Sequence, residues 1–536
     1  MSFQNFALLD KKTTASTDLA GHLRAAIAVG ELFRSSLGPT GMEKLVFDRS
    51  KNHLVATADG YTLIKELGVL TEAAVPKHLL KVGELQYKLA GDFTKTTICL
   101  AAAWLRFFVD TDFTLREQRI VLRGFNRVVK ACIAQMLSYA TSFADLDTRV
   151  SATFAENILR QNLQAKLSPP AADHLTGLLI ARIPEWVAQV PDRQLYSSFD
   201  FRPRNFHTAI APGGHITDSY VFNGIILKKD VATSERVMLL QDARIVLTRE
   251  KLYTEKPTQE QISAEYQISS PNALTEFKEH EQVVAPHLPE KLAAVGANVL
   301  ITEKGISDRM RGLLEQHGII VVRRAKLKQM VNLAKATGAS LLNRTEDVSA
   351  SDVGVSPAIH VEKVRGDWRA FIETAPAAAA SLVIRCSSYE VGAEVRRVVK
   401  SALRATIGSL NGGKFLPGAG GWLALAVNLC NHAESAPQQA RDAAAFGFFS
   451  VLQALVTNAG ADPLDIPLEM VARNQEQASS YAGFSFPTRQ IGSITEIGVY
   501  DALRAVQLAI DHARQFVSAL LNVDQIFHFD KKPHRD

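Results

Sequence analysis

Cysteine is scarce in this sequence, and the few residues present are not spaced as ligands or bridges. The four cysteines are Cys99, Cys132, Cys386 and Cys430. They stand singly in apolar segments, which argues against a disulfide framework or a zinc site. We therefore expect buried thiols in a reducing compartment, with the cytoplasm as the default location.

Long apolar runs are missing as well. No window approaches about 18 unbroken apolar residues, so no membrane-spanning helix is expected. The first residues, Met1-Ser2-Phe3-Gln4-Asn5-Phe6, lack a basic region followed by an apolar core, so no secretory leader is predicted. A net charge of +5 is small for 536 residues and predicts neither a nucleic-acid partner nor a membrane partner.

The remaining composition is that of an ordinary globular protein. Apolar residues make up 47% of the chain and charged residues 21%, so there is enough apolar material for buried cores. A chain of this length exceeds what one hydrophobic core organises, and we expect about two to four domains.

Glycine-containing turns are the most informative feature. Three of them occur within one run of predicted helices: Leu37-Gly38-Pro39-Thr40-Gly41-Met42, Thr57-Ala58-Asp59-Gly60-Tyr61-Thr62 and Gly91-Asp92-Phe93-Thr94-Lys95-Thr96-Thr97. Glycine lets the backbone approach a ligand closely, and a helix that begins at Thr94 would present free N–H groups to phosphate oxygens. Aspartates in such turns reach a hard cation or orient a water molecule.

Each signal is weak when taken alone. An Asp-Gly pair is usually only a turn, and Gly-Asp before a helix is usually only a cap. The chain has no GxxxxGK[ST] phosphate loop. A dinucleotide-binding interpretation of Gly418 and Gly420 fails because Leu423 holds the third glycine position and no clean strand precedes the segment.

Taken together, these segments resemble the group II chaperonins, whose subunits carry LGPxGMxK, NDGxTIL and GDGTT before an apolar helix. The resemblance covers essentially the whole chain and is strongest to the eukaryotic cytosolic chaperonin. Two later blocks contribute to it: Gly213-Gly214-His215-Ile216-Thr217-Asp218-Ser219-Tyr220 and Phe415-Leu416-Pro417-Gly418-Ala419-Gly420-Gly421-Trp422. The fold class implied is α+β and multidomain.

The resemblance also implies the domain boundaries. Residues 1–148 and 404–536 would form a mainly helical equatorial domain, and residues 149–213 and 361–403 a small intermediate domain. Residues 214–360 would form a β/α apical domain that binds substrate, with a helical lid protrusion at about 253–283.

Local patterns predict particular elements. Helices are expected from about Thr14 to Leu37, over Ala74–Ala90 and over Asp308–Gln316, with strands near 297–301 and 319–322. We expect a short hairpin around Asp59, and Asp501 as the N-cap of the last long helix.

The resemblance assigns roles to individual residues. It implies ATP or ADP as ligand with Mg²⁺, a catalytic role for Asp59 beside an attacking water, and a metal-binding role for Asp92. The implied nucleotide-binding residues are Leu37, Gly38, Pro39, Gly60, Phe93, Thr94, Lys95, Thr96, Lys166, Gly418, Gly420 and Asp501.

Several positions depart from the family pattern. Ser401 stands where the family has the aspartate that orients the attacking water, and a serine hydroxyl cannot supply that charge near neutral pH. Phe93 replaces a glycine and Lys95 a threonine; the lysine would either pair with phosphate or point to solvent. We expect nucleotide binding with slow hydrolysis.

The resemblance further implies paralogous subunits in a hetero-oligomeric double ring, because a ring of this chain alone would lack the catalytic aspartate. Unfolded client proteins, with actin and tubulin expected, and a prefoldin-type co-chaperone are the other implied partners. The alternative is a stand-alone soluble enzyme built on the β/α segment 297–342. Its weakness is that no nucleophile–base pair or metal cluster is evident; His280-Glu281, for example, does not continue as HExxH.

Overall fold

The fold is taken from a computed structural model. It describes residues 14–16, 19–48, 53–71, 73–142, 148–164, 166–183, 206–228, 238–252, 287–364, 367–375, 379–476, 481–523 and 526–528. The expected lid segment at about 253–283 lies outside the described residues. The chain divides into two compact units, residues Met1–Phe201 with Arg397–Asp536 and residues Arg202–Arg396.

Helices dominate the first unit and recur between the strands of the second. Their bounds are α1 (Leu19–Arg34), α2 (Gly60–Leu70), α3 (Ala74–Ala90), α4 (Thr94–Asp110), α5 (Leu115–Gln135), α6 (Thr148–Gln164), α7 (Pro169–Ile180), α8 (His287–Ala294), α9 (Asp308–Gln316), α10 (Leu327–Thr337), α11 (Tyr389–Gly412), α12 (Gly421–Asn431), α13 (Gln438–Asn458), α14 (Asp465–Glu476), α15 (Ile494–Ile497) and α16 (Leu503–Leu520). Among the described residues, no helix has both the length and the apolar character needed to cross a membrane.

Strands are short in the first unit and longer in the second. Their bounds are β1 (Thr14–Ser16), β2 (Lys44–Asp48), β3 (His53–Thr57), β4 (Thr141–Ser142), β5 (Phe206–Pro212), β6 (Tyr220–Phe222), β7 (Gly224–Lys228), β8 (Met238–Thr248), β9 (Val299–Thr302), β10 (Ile320–Val322), β11 (Leu341–Leu342), β12 (Gly354–Val364), β13 (Asp367–Glu373), β14 (Ala380–Cys386), β15 (Lys414–Pro417), β16 (Ala482–Ser485), β17 (Gln490–Ser493), β18 (Tyr500–Ala502) and β19 (Ile526–His528).

The core of the first unit surrounds the middle of α4, where the side chains from Ile98 to Leu105 are all buried. Trp104 lies at its centre with no exposed surface. Its ring meets Phe125 and Phe448 edge-on, with centroids 5.1 and 5.4 Å apart, and its Nε1–H donates to the Ala444 carbonyl over 3.1 Å. The buried indole thus satisfies its single donor while joining α4, α5 and α13.

The second unit contains a mixed sheet with the strand order β10-β9-β8-β12-β13-β7, and β11 also pairs with β8. The strands β8, β9 and β10 run parallel and are separated in sequence by helices, as the alternating pattern near 297–342 predicted. A smaller sheet of order β5-β14-β6 lies in the same unit. The predicted helix over Asp308–Gln316 is confirmed at both ends.

Three local predictions are wrong. The first helix begins at Leu19 and not at Thr14, because Thr14–Ser16 form β1, which pairs with β19. Asp59 does not lie in a hairpin turn: β3 pairs with β2, and Asp59 caps helix α2 by accepting the Thr62 N–H over 3.0 Å. Asp501 is not an N-cap, because it lies on β18 and pairs with Leu416 of β15, while Ala502 holds the N-cap position of α16. Asp59 caps the helix that follows it, and Asp501 pairs with β15, a strand that the local pattern around Asp501 could not indicate.

The packing around Trp104 predicts a sensitive glycine. A Cβ at Gly447 would lie 2.3 Å from Trp104 Nε1, whereas a Cβ at Gly177, an exposed position in α7, would meet nothing within 4 Å. We expect Gly447→Ala to lower the free energy of unfolding by roughly 1–3 kcal/mol, because a close-packed core has no room for the methyl group. Gly177→Ala, the matched control, should raise it by about 0.5–1 kcal/mol. Urea unfolding of the purified chain measures both, and equal effects would contradict the packing argument.

Candidate functional site

The third glycine segment forms the turn between α3 and α4 and continues into the first turn of α4. Gly91 ends α3 with a left-handed φ of 76°, and Phe93 precedes α4 with a φ of 59°. The Phe93 N–H donates to Asp92 Oδ1 over 2.7 Å, which fixes that carboxylate at the turn. The free N–H groups at the start of α4 carry the positive end of the helix dipole.

Phe93 adopts a backbone conformation that suits glycine. A left-handed φ costs an L-residue roughly 1–2 kcal/mol. The ring compensates in part by packing edge-on against Trp422, with centroids 5.9 Å apart, and by joining a small apolar cluster with Ala502 and Ala505. Glycine would adopt this left-handed conformation without the steric cost that Phe93 incurs.

Asp59 is held in a buried ion pair. Lys166 Nζ lies 2.7 Å from Asp59 Oδ1, and Thr62 donates its N–H and hydroxyl to Oδ2 over 3.0 and 2.9 Å. Burial alone would raise the pKa of Asp59, but Lys166 and the two bonds from Thr62 outweigh it and lower the pKa to about 2. Asp59 is therefore ionised at neutral pH and is a poor proton acceptor.

Lys166 responds in the opposite direction. Burial lowers the pKa of its ammonium, but the Asp59 carboxylate more than offsets this, so that the pKa is raised above its ordinary value. The side chain of Lys166 is 22% exposed and that of Asp59 8% exposed. The pair is thus permanently charged and largely screened from water.

Asp501 shares its surroundings with a second carboxylate. Burial, followed by the charge of Asp92, raises the pKa of Asp501 to about 7, and a hydrogen bond from Trp422 opposes this only in part. Asp92 and Asp501 come from segments more than four hundred residues apart in sequence, so the structure places two predicted site residues from opposite ends of the chain near each other. Two carboxylates close together in a partly buried site repel each other, so the site favours either a bound cation or the protonation of one carboxyl group.

Ser401 also lies at this turn. Its side chain is buried on α11, and its hydroxyl donates to the Gly91 carbonyl over 3.3 Å. One helical turn later, the stem of Arg404 packs over Gly91, where a Cβ would come within 2.6 Å of Arg404 Cγ. Helix α11 therefore presses directly on the Gly91–Asp92 turn.

Lys95 makes a contact that neither expected alternative included. Its ammonium donates to the Ser36 carbonyl and, over 3.2 Å, to the Ala58 carbonyl. Burial, then the charge of Lys166, lowers the pKa of Lys95 to about 8. Lys95 thus joins the third glycine segment to the second, through Ala58, and to Ser36, the residue that precedes the first.

The other predicted residues lie in turns and helix starts of both halves of the chain. Thr94 is buried and Thr96 partly buried in the first turn of α4; Gly60 is buried at the start of α2. Gly38 has a left-handed φ of 78°, with Leu37 buried before it and Pro39 exposed after it. In the second half of the chain, Gly420 has a φ of 80° and precedes α12, while the Gly418 N–H donates to the Val499 carbonyl over 3.0 Å.

The sequence of this chain matches that of a known protein family. A model of the TCP-1/cpn60 chaperonin family matches residues 29–531. The chain belongs to that family. The recognition of a chaperonin and of an α+β multidomain fold is therefore confirmed.

Two archaeal proteins are among the relatives of this chaperonin. It is 29% identical over 526 residues to a thermosome subunit beta of Thermoplasma acidophilum, covering 96% of this chain and 93% of the relative. It is 28% identical over 513 residues to a thermosome subunit alpha of Archaeoglobus fulgidus, covering 94% and 91%. These matches run through nearly the whole length of both chains.

Sequence reasoning missed some participants of this chaperonin's site. Trp422 bonds Asp501, and the rings of Tyr61 and Tyr87 stack with centroids 3.9 Å apart beside the Asp59 helix. The carbonyls of Ser36 and Ala58 were also missed, because every residue type carries a backbone carbonyl and the sequence gives no signal for its direction. The aromatic residues were visible in the sequence, but nothing in their spacing indicated a role beside these carboxylates.

The carboxylates fit a magnesium ion held jointly with phosphate oxygens. No cluster of three or more His, Cys, Asp or Glu side chains capable of holding a metal occurs in the part of the chain that the structure describes. Magnesium in phosphate sites uses one or two carboxylates plus water and substrate oxygens. Asp92, whose Oδ1 accepts the Phe93 N–H, would supply one such carboxylate.

The ion pair predicts a large penalty for losing one partner. Lys166→Met should lower the free energy of unfolding by roughly 2–4 kcal/mol, because it leaves the Asp59 carboxylate buried without a counter-charge. The double variant Asp59→Asn with Lys166→Met should recover part of that loss. Urea unfolding at pH 7 compares the three chains; a double variant less stable than Lys166→Met would contradict a charge-burial cause.

The raised pKa of Asp501 predicts that replacing its carboxyl by a neutral group stabilises the chain by an amount that grows with pH. The folded pKa of about 7 exceeds the ordinary 3.8, so the folded chain holds the proton more tightly, and its stability falls as the pH rises from about 4 to about 7. Asp501→Asn removes this term. Without nucleotide, the free energy of unfolding of the variant relative to that of the native chain should rise by roughly 1–3 kcal/mol from pH 5 to pH 8. Thermal unfolding at both pH values checks this, and a pH-independent difference would refute it.

Proposed function

We propose that the chain is one subunit of a double-ring, ATP-dependent protein-folding chaperonin assembled with paralogous, non-identical subunits. Family membership supports the chaperonin activity. The observation that carries the hetero-oligomer is Ser401, which contacts the Gly91 turn at the place where a water-orienting carboxylate is expected. A ring of this chain alone would have no such carboxylate at that position.

The proposed nucleotide site uses both ends of the sequence. The start of α4, with Thr94 and Thr96, binds phosphate oxygens; Asp92 holds Mg²⁺, which would neutralise phosphate charge; Asp501 binds the sugar. The turns of Leu37, Gly38 and Pro39, of Gly60, and of Gly418 and Gly420 enclose the nucleotide. The supporting observation is the proximity of Asp92 and Asp501, whose charges interact.

We propose that this subunit binds nucleotide although it hydrolyses ATP only slowly. Asp59 is the remaining carboxylate for orienting water, but its pKa of about 2 and its bond to Lys166 leave it a weak proton acceptor. Ser401 supplies no charge. The subunit therefore holds ATP or ADP and hydrolyses ATP slowly.

The finer assignment is to the eukaryotic cytosolic chaperonin, TRiC. The ending Val523-Asp524-Gln525-Ile526 and the non-threonine Lys95 favour the theta subunit. Actin and tubulin are the proposed clients, delivered with a prefoldin-type co-chaperone in the cytoplasm. The proposed domains are those of the sequence-based assignment, with residues 253–283 as the lid.

The assembly is tested by purifying the tagged chain from its native cells. Electron microscopy should show double rings, and mass spectrometry should find paralogous subunits in fixed stoichiometry. Elution of the chain as a monomer, without paralogues, would sink the proposal and favour the stand-alone enzyme.

Turnover is tested in particles whose other subunits have lost their catalytic aspartates. In single-turnover measurements the native chain should hydrolyse ATP at least roughly tenfold more slowly than an intact subunit. Ser401→Asp alone should recover little, and Ser401→Asp with Phe93→Gly should recover more, because glycine relaxes the strained turn that holds Asp92. Rapid hydrolysis by the native chain would overturn the claim of impaired turnover.

A further inference from the structure

One buried side chain, Gln86 on α3, makes hydrogen bonds to three different partners. Gln86 has no exposed surface. Its Nε2 donates to the Asp92 carbonyl over 3.1 Å and to the Ala505 carbonyl of α16 over 3.1 Å, and its Oε1 lies 2.9 Å from His512 Nδ1. The amide therefore connects α3, α16 and the turn that precedes α4.

Hydrogen-bonding chemistry determines which end of the amide faces which partner. A backbone carbonyl oxygen only accepts hydrogen bonds, so both carbonyls must face the NH₂ group of Gln86, whose two hydrogens match them in number. Oε1 is then left to His512, which must carry a proton on Nδ1 in order to donate to it. His512 thus orients the amide that holds the Asp92 carbonyl.

The bond from Gln86 acts on the peptide group between Asp92 and Phe93. The Asp92 carbonyl and the Phe93 N–H belong to that one planar group and point in opposite directions. Gln86 holds the carbonyl end, while the N–H end donates to Asp92 Oδ1 over 2.7 Å. The orientation of the same group enters the left-handed φ of Phe93, which is 59°. Gln86 thereby directs the N–H that fixes the Asp92 carboxylate.

The carbonyls on either side have partners of their own. Ser401 donates its hydroxyl to the Gly91 carbonyl over 3.3 Å, and Thr97 donates its N–H and its hydroxyl to the Phe93 carbonyl, both over 2.9 Å. Neither bond acts on the peptide group whose N–H holds the Asp92 carboxylate. That group depends on Gln86.

We propose that Gln86, oriented by His512, is a positioning residue for the Asp92 carboxylate and so for the magnesium ion bound with nucleotide. Without the Gln86 amide, the Asp92–Phe93 peptide group rotates more freely, the Phe93 N–H leaves Oδ1 more often, and the carboxylate loses its fixed direction. The part that concerns magnesium rests on the proposed nucleotide site, whereas the fixing of the turn does not.

Four variants of the full-length chain test this role. Gln86→Met keeps the length of the side chain but removes its donors and its acceptor. His512→Leu removes the bond that orients the amide, at a position that is only partly buried, and His512→Gln restores a donor there. Gln507→Met is the matched control, because Gln507 Nε2 also donates to a carbonyl over 3.1 Å, that of Ile133, away from the Asp92 turn.

The first measurement is amide hydrogen exchange of the nucleotide-free chain. The Phe93 N–H should exchange roughly tenfold faster in Gln86→Met and roughly threefold faster in His512→Leu, because its bond to Asp92 opens more often. His512→Gln should restore the native rate, and Gln507→Met should leave it unchanged.

The second measurement is ADP binding by calorimetry, in magnesium chloride and in EDTA. The ratio of the two dissociation constants gives the magnesium-dependent part of the affinity. Gln86→Met should lower this ratio roughly tenfold while the affinity in EDTA stays within about twofold, since phosphate binding at the start of α4 does not use the Asp92 carboxylate. A general loss of packing would instead weaken both affinities alike.

The two measurements distinguish the possible failures. A native rate of Phe93 exchange in both Gln86→Met and His512→Leu would overturn the proposal, as would equal losses of ADP affinity in magnesium and in EDTA. Faster exchange in these variants, with no ADP binding by any chain, would retain Gln86 as the residue that fixes the turn and reject the nucleotide site. If Gln86→Met does not fold, the two His512 variants decide by the same measurements.

Discussion

The middle of helix α4 is apolar on every side, and this property constrains the first unit. The side chains from Ile98 to Leu105 are all buried, so the helix cannot lie on a surface and must be enclosed by other elements. Its neighbours α1 and α3 precede it, while α13 and α16 come from the last hundred residues. Burying α4 therefore forces the two ends of the chain into one core, with apolar burial as the driving force.

The functional site begins where that burial ends. The first turn of the helix begins at Thr94, and charged side chains from other segments lie near it. Asp59 is the N-cap of α2, and its ion pair with Lys166 keeps it ionised. Asp501 lies on β18, where burial and the charge of Asp92 raise its pKa. A site with three carboxylates and two lysines is less stable empty than it would be with a cation and a polyanion present.

The departures from the family pattern act on different parts of this site. Ser401 removes a charge from the face that α11 presents to the Gly91 turn. Phe93 stiffens the same turn in a left-handed conformation and anchors it to Trp422. Lys95 instead adds a charge, between the two neighbouring loops. In the proposed nucleotide site, positive charge is added beside the phosphates and negative charge is lost where water would be activated, which agrees with the proposal that this subunit binds nucleotide but hydrolyses it slowly.

The sequence by itself determined the family, the fold class and most element types. The period of apolar residues defined α3 and α9 at both ends, and the glycine turns located Asp92 and Thr94 at a helix start. Tertiary structure decided what those residues contact. Asp59 became a helix cap instead of a hairpin turn, Asp501 joined a strand because β15 lay beside it, and Lys95 found two backbone carbonyls. Local periodicity is written in neighbouring residues, but pairing partners and carbonyl directions depend on segments hundreds of residues away, and a backbone carbonyl is the same for every residue type.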